Sequence, residues 1–386
     1  MRERTQVGSQ GFSLLEMMIS LALGGIILGA AVSMFSRGMN ATWTISQRAE
    51  MQQDYRAASN LLVKDIGLAG SGLDNAVIAL PSGTGKLPIY GCDATGCHIN
   101  GGGVAFPTEN VSGTNVPYLY GLIPGNKFGP TLNAAQGPTD IVTVAYVDNN
   151  FLLNCYDVSF DVTGTIATFT LQKPLPVTCV LPPNLTAPQP INDPVVGLTP
   201  GDLVWFQVTI GSGATASSGS AVGEVTNVAL GPLVNGNNSY KVTFAAGDPL
   251  NINQPAATAG NILAIAKGTG TGTRLQLITY YIDTTACFNN TPCLMRRVSG
   301  HPGVPVAENV VYLKLTYDLF NNGATLVAQD DGGASQGLTP SQITKVTIQH
   351  MSIRSQMHGV KGFESFDLQT SVSARNLTFK NEYPID

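Results

Sequence analysis

The chain has 386 residues, of which 12% are charged, and its net charge is −5. This length allows one large domain or two ordinary ones, and an acidic chain without a basic patch argues against nucleic acid as the main partner. The 43 glycines and 23 prolines, in a chain that is still 43% hydrophobic, favour a loop-rich β protein over a disordered chain.

The first predicted element is an apolar helix near the N-terminus. Residues 17–36 form an uncharged run rich in Leu, Ile, Ala and Gly. At about 1.5 Å per residue, a helix of this length matches the ~30 Å hydrocarbon core of a bilayer. Glu16 directly precedes the run, and because a carboxylate there is costly without a partner, it is a functional candidate. Gly24, Gly25 and Gly29 allow either close helix packing or local unwinding.

A cleaved secretory signal is the simplest alternative for this segment. Arg2 and Arg4 precede the apolar run, and the small residues 29–31 resemble a cleavage site. Three features oppose this interpretation. The run continues through Phe35, an acid such as Glu16 is unusual at its start, and the pattern that follows is helical.

Residues 11–16, Gly-Phe-Ser-Leu-Leu-Glu, resemble the leader junction of type IV prepilins and the related pseudopilins. In that family a short basic leader ends in Gly, the next residue is usually Phe, and a Glu follows four residues later inside the span. The resemblance implies a leader over residues 1–11, cleavage between Gly11 and Phe12, and methylation of the new amine on Phe12. It also implies a membrane or filament-core helix over residues 12–36.

The resemblance also implies a partner for Glu16. Its carboxylate would pair with the Phe12 amine of a neighbouring subunit inside a helical bundle. Because desolvation cancels much of the attraction, such a pair would set the register between subunits more than it would add stability. The alternative is that Glu16 is an acid in the first turn, favourable to the helix dipole.

An amphipathic helix is predicted over residues 37–70, before a change to strand-like sequence at residue 71. Its apolar face has spacings of 4, 3, 4 and 4 and consists of Met51, Tyr55, Ala58, Leu62 and Ile66. Gly67, Gly70 and Gly72 supply a C-terminal stop. A continuous helix over residues 12–66 would be ~80 Å long.

Residues 71–274 are predicted to form a β-rich head region of variable sequence. Across the whole head, strands are predicted at residues 140–147, 165–172, 202–210, 240–246, 275–283, 310–318, 344–355 and 368–376. The alternation in 344–355 slips between Ile348 and Met351, which predicts either a bulge or a strand with both faces covered. Residues 211–220 and the Gly-Thr repeat at 268–273 are predicted as loops. The repeat is interpreted as a flexible hairpin, since no helix pattern or Lys-Ser/Thr signature of a nucleotide-binding loop follows it.

The C-terminal third resembles the end of PilW-like minor pilins. The resemblance is carried by the strands and connecting segments between residues 277 and 377, and it defines a PilW-like β-sheet region over residues 275–386. Within it, Arg296 and Arg297 are interpreted as a solvated strand edge, with an anion site as the alternative. The fold expected from these elements is α+β: a long N-terminal helix packed on a large, pilin-like β-rich head that contains disulfides.

The six cysteines fall into pairs that are close in sequence: Cys92 with Cys97, Cys155 with Cys179, and Cys287 with Cys293. An even, clustered set favours disulfides and therefore an oxidising compartment, although other connectivities remain open. A metal site is the alternative, but the ligand spacing and clustered histidines that it requires are absent from the sequence.

The sequence contains no recognisable catalytic constellation of nucleophile, base or metal ligands. Asp330 and Asp331 could contribute to a calcium site, but the alternating acidic ligands of a calcium loop are missing, and a turn is the preferred interpretation. We therefore expect no enzyme activity, no cofactor and no metal.

Together these features predict a minor pilin that takes part in type IV pilus assembly, in an initiating or tip complex. Its expected location is the inner membrane, with a cytoplasmic N-terminus and a periplasmic head, and then the pilus at the cell surface. The expected partners are a prepilin peptidase and methylase, other minor pilins, the major pilin, the inner-membrane assembly platform and a tip adhesin. Two alternatives remain: a pseudopilin of type II secretion, and a tip adhesin whose head binds a surface or glycan.

Overall fold

The computed structural model describes residues 11–73, 77–81, 87–91, 104–111, 114–149, 151, 153–161, 163–181, 183, 185–255, 260–266, 268–321, 325–330, 339–355, 365–374 and 376–377. The chain divides into two compact units, Met1–Gln53 and Asp54–Asp386. This boundary falls inside the predicted amphipathic helix. Each unit is described by itself.

Helix α1 spans Leu14–Leu68, and its residues up to Gln53 belong to the first unit. Apolar side chains are exposed along its N-terminal half, among them Leu21, Val32 and Phe35 at 65–72%. Within the described residues, α1 is the one helix that is long and apolar enough to cross a membrane. It continues without a break through Gly24, Gly25 and Gly29, so the chain shows no local unwinding there.

The amphipathic face predicted near the end of α1 is buried. Its members are exposed by 7% or less: Met51, Tyr55, Ala58, Leu62 and Ile66. In the second unit the ring of Tyr55 packs edge-on against Phe366, with 5.6 Å between centroids. The helix ends at Leu68, and Gly70 and Gly72 follow at φ +74°, a left-handed conformation that favours glycine. The predicted helix and its stop at Gly70 and Gly72 are confirmed, whereas Gly67 lies inside the helix.

The second unit contains a short helix, α2, at Ile262–Ile265, and many antiparallel strands. The strands are β1 Val77–Ala79, β2 Ile89–Gly91, β3 Val104–Ala105, β4 Thr108–Val111, β5 Thr114–Tyr120, β6 Leu122–Gly125, β7 Thr131–Asn133, β8 Gly137–Pro138, β9 Ile141–Val147, β10 Tyr156–Phe160, β11 Ile166–Leu171, β12 Leu203–Ile210, β13 Ser217–Glu224, β14 Asn227–Leu230, β15 Ser239–Thr243, β16 Gly268–Asp283, β17 Cys293–Val298, β18 Val304–Glu308, β19 Val310–Asn321, β20 Thr325–Asp330, β21 Ile343–Arg354 and β22 Ser365–Ser373. The expected α+β composition, with a β-rich head, is confirmed.

Strand β16 organises the largest sheet, which has eleven strands. Its first half pairs with β12 from Gly268 to Leu275, and its second half pairs with β9 and β17 up to Asp283. The main path of the sheet runs β13-β12-β16-β10-β11-β15-β14. The predicted boundary between residues 274 and 275 therefore falls in the middle of this strand.

A separate sheet of four strands has the order β20-β19-β21-β22. Leu313, Leu315 and Tyr317 of β19 are buried, as the alternation of that segment predicts. The pairing of β21 with β22 shifts register between Ile348 and Met351, which confirms the predicted bulge. The three smaller sheets are β1-β5-β4, β2-β3 and β7-β8.

The predicted hairpin at residues 268–273 is wrong, because the segment is the start of β16 in the middle of the large sheet. Its glycines serve close packing. A Cβ at Gly270 would lie 2.1 Å from the carbonyl oxygen of Gln207, and one at Gly268 would lie 2.5 Å from Val208. The loop predicted at residues 211–220 is also wrong from Ser217 onward, because strand β13 begins there.

Strand β12 shows how the large sheet forms two cores. Leu203 and Trp205 belong to one hydrophobic cluster, whereas Val204, Phe206 and Val208 belong to another. Because side chains alternate along a strand, one strand serves both clusters.

Candidate functional site

The predicted cleavage site lies just before α1. Gly11, Phe12 and Ser13 precede the first helical residue, Leu14. Phe12 is 87% exposed, and a Cβ added at Gly11 would meet no other atom within 4 Å. In the isolated chain the peptide bond between Gly11 and Phe12 is therefore open to an enzyme.

Ser13 and Glu16 form reciprocal hydrogen bonds at the start of the helix. The backbone N–H of Ser13 donates to Glu16 Oε2 at 3.0 Å, and the backbone N–H of Glu16 donates to Ser13 Oγ at 3.2 Å. This arrangement is a capping box, which satisfies N–H groups that the helix itself leaves unpaired. The Ser-x-x-Glu spacing was visible in the sequence, but we did not predict the cap from it.

The cap gives Glu16 a structural task in the isolated chain. Its position in the first turn agrees with the simpler alternative, an acid that favours the start of a helix. A carboxylate has two oxygens and several acceptor positions, so it can accept a further donor while the cap remains. The assembly role of Glu16 stays a prediction.

A second group of polar side chains holds the end of α1 within the second unit. Asp65 is 2% exposed, and its Oδ2 accepts from the hydroxyl of Tyr280 at 2.6 Å and from Nε of Arg296 at 2.7 Å. Burial and the hydrogen bond to Asp65 raise the pKa of Tyr280. Burial works to lower the pKa of Arg296, but the hydrogen bond and charge of Asp65 outweigh it, and the pKa is raised. We call these three residues the Asp65 anchor.

The Asp65 anchor corrects our interpretation of the two arginines. Arg296 pairs with a buried acid, and Arg297 is only 7% exposed and donates to the carbonyls of Ser299 and Gly300, each at 3.2 Å. Neither belongs to a solvated strand edge. Asp65 and Arg296 are 231 residues apart in the sequence, so no local pattern could predict their contact.

Two disulfides are present among the described residues. Cys155 is joined to Cys179 and Cys287 to Cys293, the pairs expected from proximity in sequence. Cys92 and Cys97 lie outside the described residues, so their pairing stays a prediction.

A buried pair of acids, also unforeseen, lies beside β13. Glu224 is 1% exposed and accepts from the N–H of Leu250 at 3.2 Å, while Asp248 accepts from the N–H groups of Ile252 and Asn253. Burial and the nearby charge of Asp248 raise the pKa of Glu224 to about 9. Glu224 is therefore protonated at neutral pH, which avoids placing two negative charges together in the core.

Within the part of the chain that the structure describes, no three His, Cys, Asp or Glu side chains cluster as a metal site requires. Asp330 ends β20, and Asp331 lies outside the described residues. The preference for a turn over a calcium site there stays a prediction.

Comparison with known families singles out the N-terminal segment. Residues 8–32 match the family model of the prokaryotic N-terminal methylation motif. The match covers the proposed leader junction, Glu16 and most of the apolar run. No curated protein and no solved structure matches the chain.

The motif supports a type IV pilin-like prepilin that takes part in pilus or pseudopilus assembly. It implies processing by a prepilin peptidase and assembly with other pilins. Proteins with this motif are generally structural and not enzymatic. The motif and the apolar helix together fit anchoring in the inner membrane followed by incorporation into a pilus.

Proposed function

We propose that this protein is a minor pilin that acts in the initiating or tip complex of a type IV pilus. The observation that carries the proposal is the methylation motif at residues 8–32, placed at the start of a long helix with exposed apolar side chains. Such side chains are stable only in lipid or against other apolar helices. A helix of this kind serves both for storage in the membrane and for packing in a filament.

The size of the second unit favours a minor subunit. It comprises residues 54–386, whereas the first unit ends at residue 53. Where subunits pack through their N-terminal helices, a large head limits how closely neighbours can follow one another. A position at the tip, where few copies are needed, relieves that crowding.

The proposed location follows from charge and cysteine chemistry. Arg2 and Arg4 before the span favour a cytoplasmic N-terminus, and disulfides such as Cys155–Cys179 favour a periplasmic head. The partners are then a prepilin peptidase and methylase, other minor pilins, the major pilin and the inner-membrane platform. The PilW-like character of residues 275–386 belongs to the same proposal.

Glu16 provides the test, because the capping box and the charge of its side chain can be separated. In an assembled bundle an unpaired carboxylate costs several kcal/mol or takes up a proton, whereas the Phe12 amine of a neighbour removes that penalty. Glu16→Ala removes both the cap and the charge. Glu16→Gln keeps a side chain suited to the cap, and Ser13→Ala removes the hydroxyl of the cap while keeping the charge.

We expect Glu16→Ala to leave cleavage and membrane insertion intact but to abolish incorporation with partner pilins. Glu16→Gln should recover only part of that loss, and Ser13→Ala should stay close to wild type. Co-purification of partner pilins and pilus number per cell measure the effect, in cells without another copy of the gene. Normal piliation with Glu16→Ala would refute the assembly role of the acid.

A pseudopilin of type II secretion is the competing assembly function, since it shares the leader and the helix. The neighbouring genes distinguish the two. Genes for other minor pilins support the proposal, whereas genes for secretion-channel components would replace it with the pseudopilin function.

A further inference from the structure

One face of the large sheet is only partly packed, and its exposed part on β12, on β13 and at the start of β16 carries uncharged polar side chains. On β12 the side chains of Trp205, Gln207 and Thr209 point to the same face, and Gln207 and Thr209 are exposed. Trp205 is 7% exposed and belongs to a hydrophobic cluster. This face of β12 is therefore buried at Trp205 but exposed and polar from Gln207 onward.

The neighbouring strands extend this surface with hydroxyl groups. On β13, Ser220 lies opposite Gln207 and Ser218 lies opposite Thr209. On β16, the threonines of the Gly-Thr repeat occupy the same face; Thr271, for example, lies opposite Gln207. The alternation explains the repeat, because its glycines permit close packing on one side while its threonines line the other. We call this surface the Trp205 face, and it consists of Trp205, Gln207, Thr209, Ser218, Ser220 and Thr271.

The Trp205 face borders two cavities. One has a volume of about 510 Å³ and is lined by Gln207, Ser218 and Ser220 together with the apolar side chains of Leu73 and Ile78. The other has about 370 Å³ and also reaches Gln207. Trp205 lines both. These volumes fall within the range of small-molecule sites, about 300–1,000 Å³.

The chemistry of the face selects a class of ligand. All six of its side chains are uncharged, and the exposed carboxylate of Asp157 lies on the same face in β10, so the face offers no counter-ion to a phosphate or a nucleic acid. Hydroxyl groups both donate and accept hydrogen bonds, as the amide of Gln207 also does. The indole of Trp205, held by a bond from Nε1 to Ser220 Oγ at 2.7 Å, supplies an apolar and rigid part.

We propose that the Trp205 face binds a neutral carbohydrate. Sugar hydroxyls donate and accept in the same way as the serine and threonine hydroxyls. The C–H groups of a sugar ring match the apolar part of the larger cavity's lining, where Trp205, Leu73 and Ile78 are each exposed by 7% or less. The site goes beyond the proposed role in assembly. It would give a pilus subunit a means of contacting a polysaccharide surface.

The chain provides its own reporter for this site. It has two tryptophans, Trp43 in α1 and Trp205. In a Trp43→Phe background, tryptophan emission comes from Trp205 alone. The full chain is purified in a detergent without a sugar headgroup, since alkyl glycosides would compete, and is titrated with cellohexaose, chitohexaose and maltohexaose. Binding is measured on the purified chain, so its outcome is independent of whether the protein assembles into a pilus.

We expect at least one of these oligosaccharides to change the Trp205 emission in a saturable way. Gln207→Ala and Thr271→Val should each weaken that binding about threefold to tenfold, the effect of one lost hydrogen bond. Thr347→Val is the matched control. It makes the same change at another half-buried strand residue, in the four-stranded sheet, and should leave the affinity unchanged.

Three results would overturn the proposal. The first is the absence of a saturable change in Trp205 emission with all three sugars up to roughly 10 mM, a concentration at which even a site of weak affinity would be occupied. The second is binding that Thr271→Val and Gln207→Ala leave unaltered. The third is saturable binding of an uncharged peptide in place of the sugars. Thr271→Val nearly preserves shape, so it tests the site even if Gln207→Ala fails to fold.

Discussion

The two units of this protein satisfy their side chains in opposite ways. In the first unit, large apolar side chains such as Leu21 and Phe35 are exposed, and hydroxyls such as those of Thr42 and Thr44 bond to carbonyls four residues away. In the second unit, buried polar groups find partners far along the chain, as Asp65 does with Arg296. The second unit buries its apolar side chains within itself, whereas the apolar side chains of the first unit are exposed and need lipid or other subunits to cover them.

Because of this difference, we expect substitutions in the two units to affect different properties, assembly in one case and stability in the other. Changes near the start of α1 should alter processing and incorporation without altering the folding of the head. Changes in the head should alter its free energy of unfolding without altering processing.

Replacing Gly11 with Leu should abolish cleavage at the Gly11–Phe12 bond. A small residue lets the backbone enter a protease cleft. A Cβ added at Gly11 would meet no other atom within 4 Å, so the head should melt as in wild type. N-terminal sequencing of the membrane protein, made with and without a prepilin peptidase, measures the effect. A mature wild-type N-terminus near residue 31 would instead support a secretory signal.

Replacing Asp65 with Ala should destabilise the second unit by about 3–5 kcal/mol, the cost of leaving one member of a buried ion pair alone. Arg296 and Tyr280 would each lose an acceptor. Denaturant unfolding of the full chain in detergent measures the change. Asp157→Ala is the control, since Asp157 is exposed and pairs with Gln172, and it should cost less than about 0.5 kcal/mol.

The Asp65 variant also tests the separation between the units. Cleavage at Gly11–Phe12 should proceed as in wild type, because the anchor lies at the other end of α1. A loss of cleavage that accompanies the loss of stability would show that processing depends on the folded head.

Removing the Cys155–Cys179 disulfide should destabilise the head about 1 kcal/mol more than removing Cys287–Cys293. The first closes a separation of 24 residues and the second only 6, and a longer loop restricts the unfolded chain more. Both pairs are buried, so the paired Cys→Ala substitutions are matched. Unfolding under non-reducing conditions measures the difference.

The same experiment can establish the disulfides themselves. Mass spectrometry after non-reducing digestion should find both bridges and, as predicted from the sequence, Cys92 joined to Cys97. Bridges between different pairs, or equal effects on stability, would contradict the pairing or the loop-length argument.

The sequence alone located the elements whose signals are local. The spacing of Tyr55, Ala58 and Leu62 predicted a buried helical face, and the slip between Ile348 and Met351 predicted a bulge. These predictions succeeded because helical and strand periodicity are properties of neighbouring residues. The methylation motif at residues 8–32 is local for the same reason.

The Gly-Thr repeat shows where local reasoning fails. Glycine weakens an isolated strand, so the repeat was interpreted as a flexible hairpin. In the folded chain Gly270 lies against the backbone of Gln207, where no side chain fits, and the repeat becomes part of a central strand. The need for glycine comes from the backbone of the neighbouring strand, so the sequence of the repeat alone does not show it.

The sequence by itself thus determined the membrane-competent helix, the methylation motif, eight of the 22 strands described and the β-rich class of the head. Only the tertiary structure determined the Asp65 anchor, the buried pair of Glu224 and Asp248, and the hydroxyl groups gathered around Trp205. The physical reason is distance along the chain. A buried charge or an open sheet face is defined by partners on other strands, and these meet only after folding has fixed the register of the sheet.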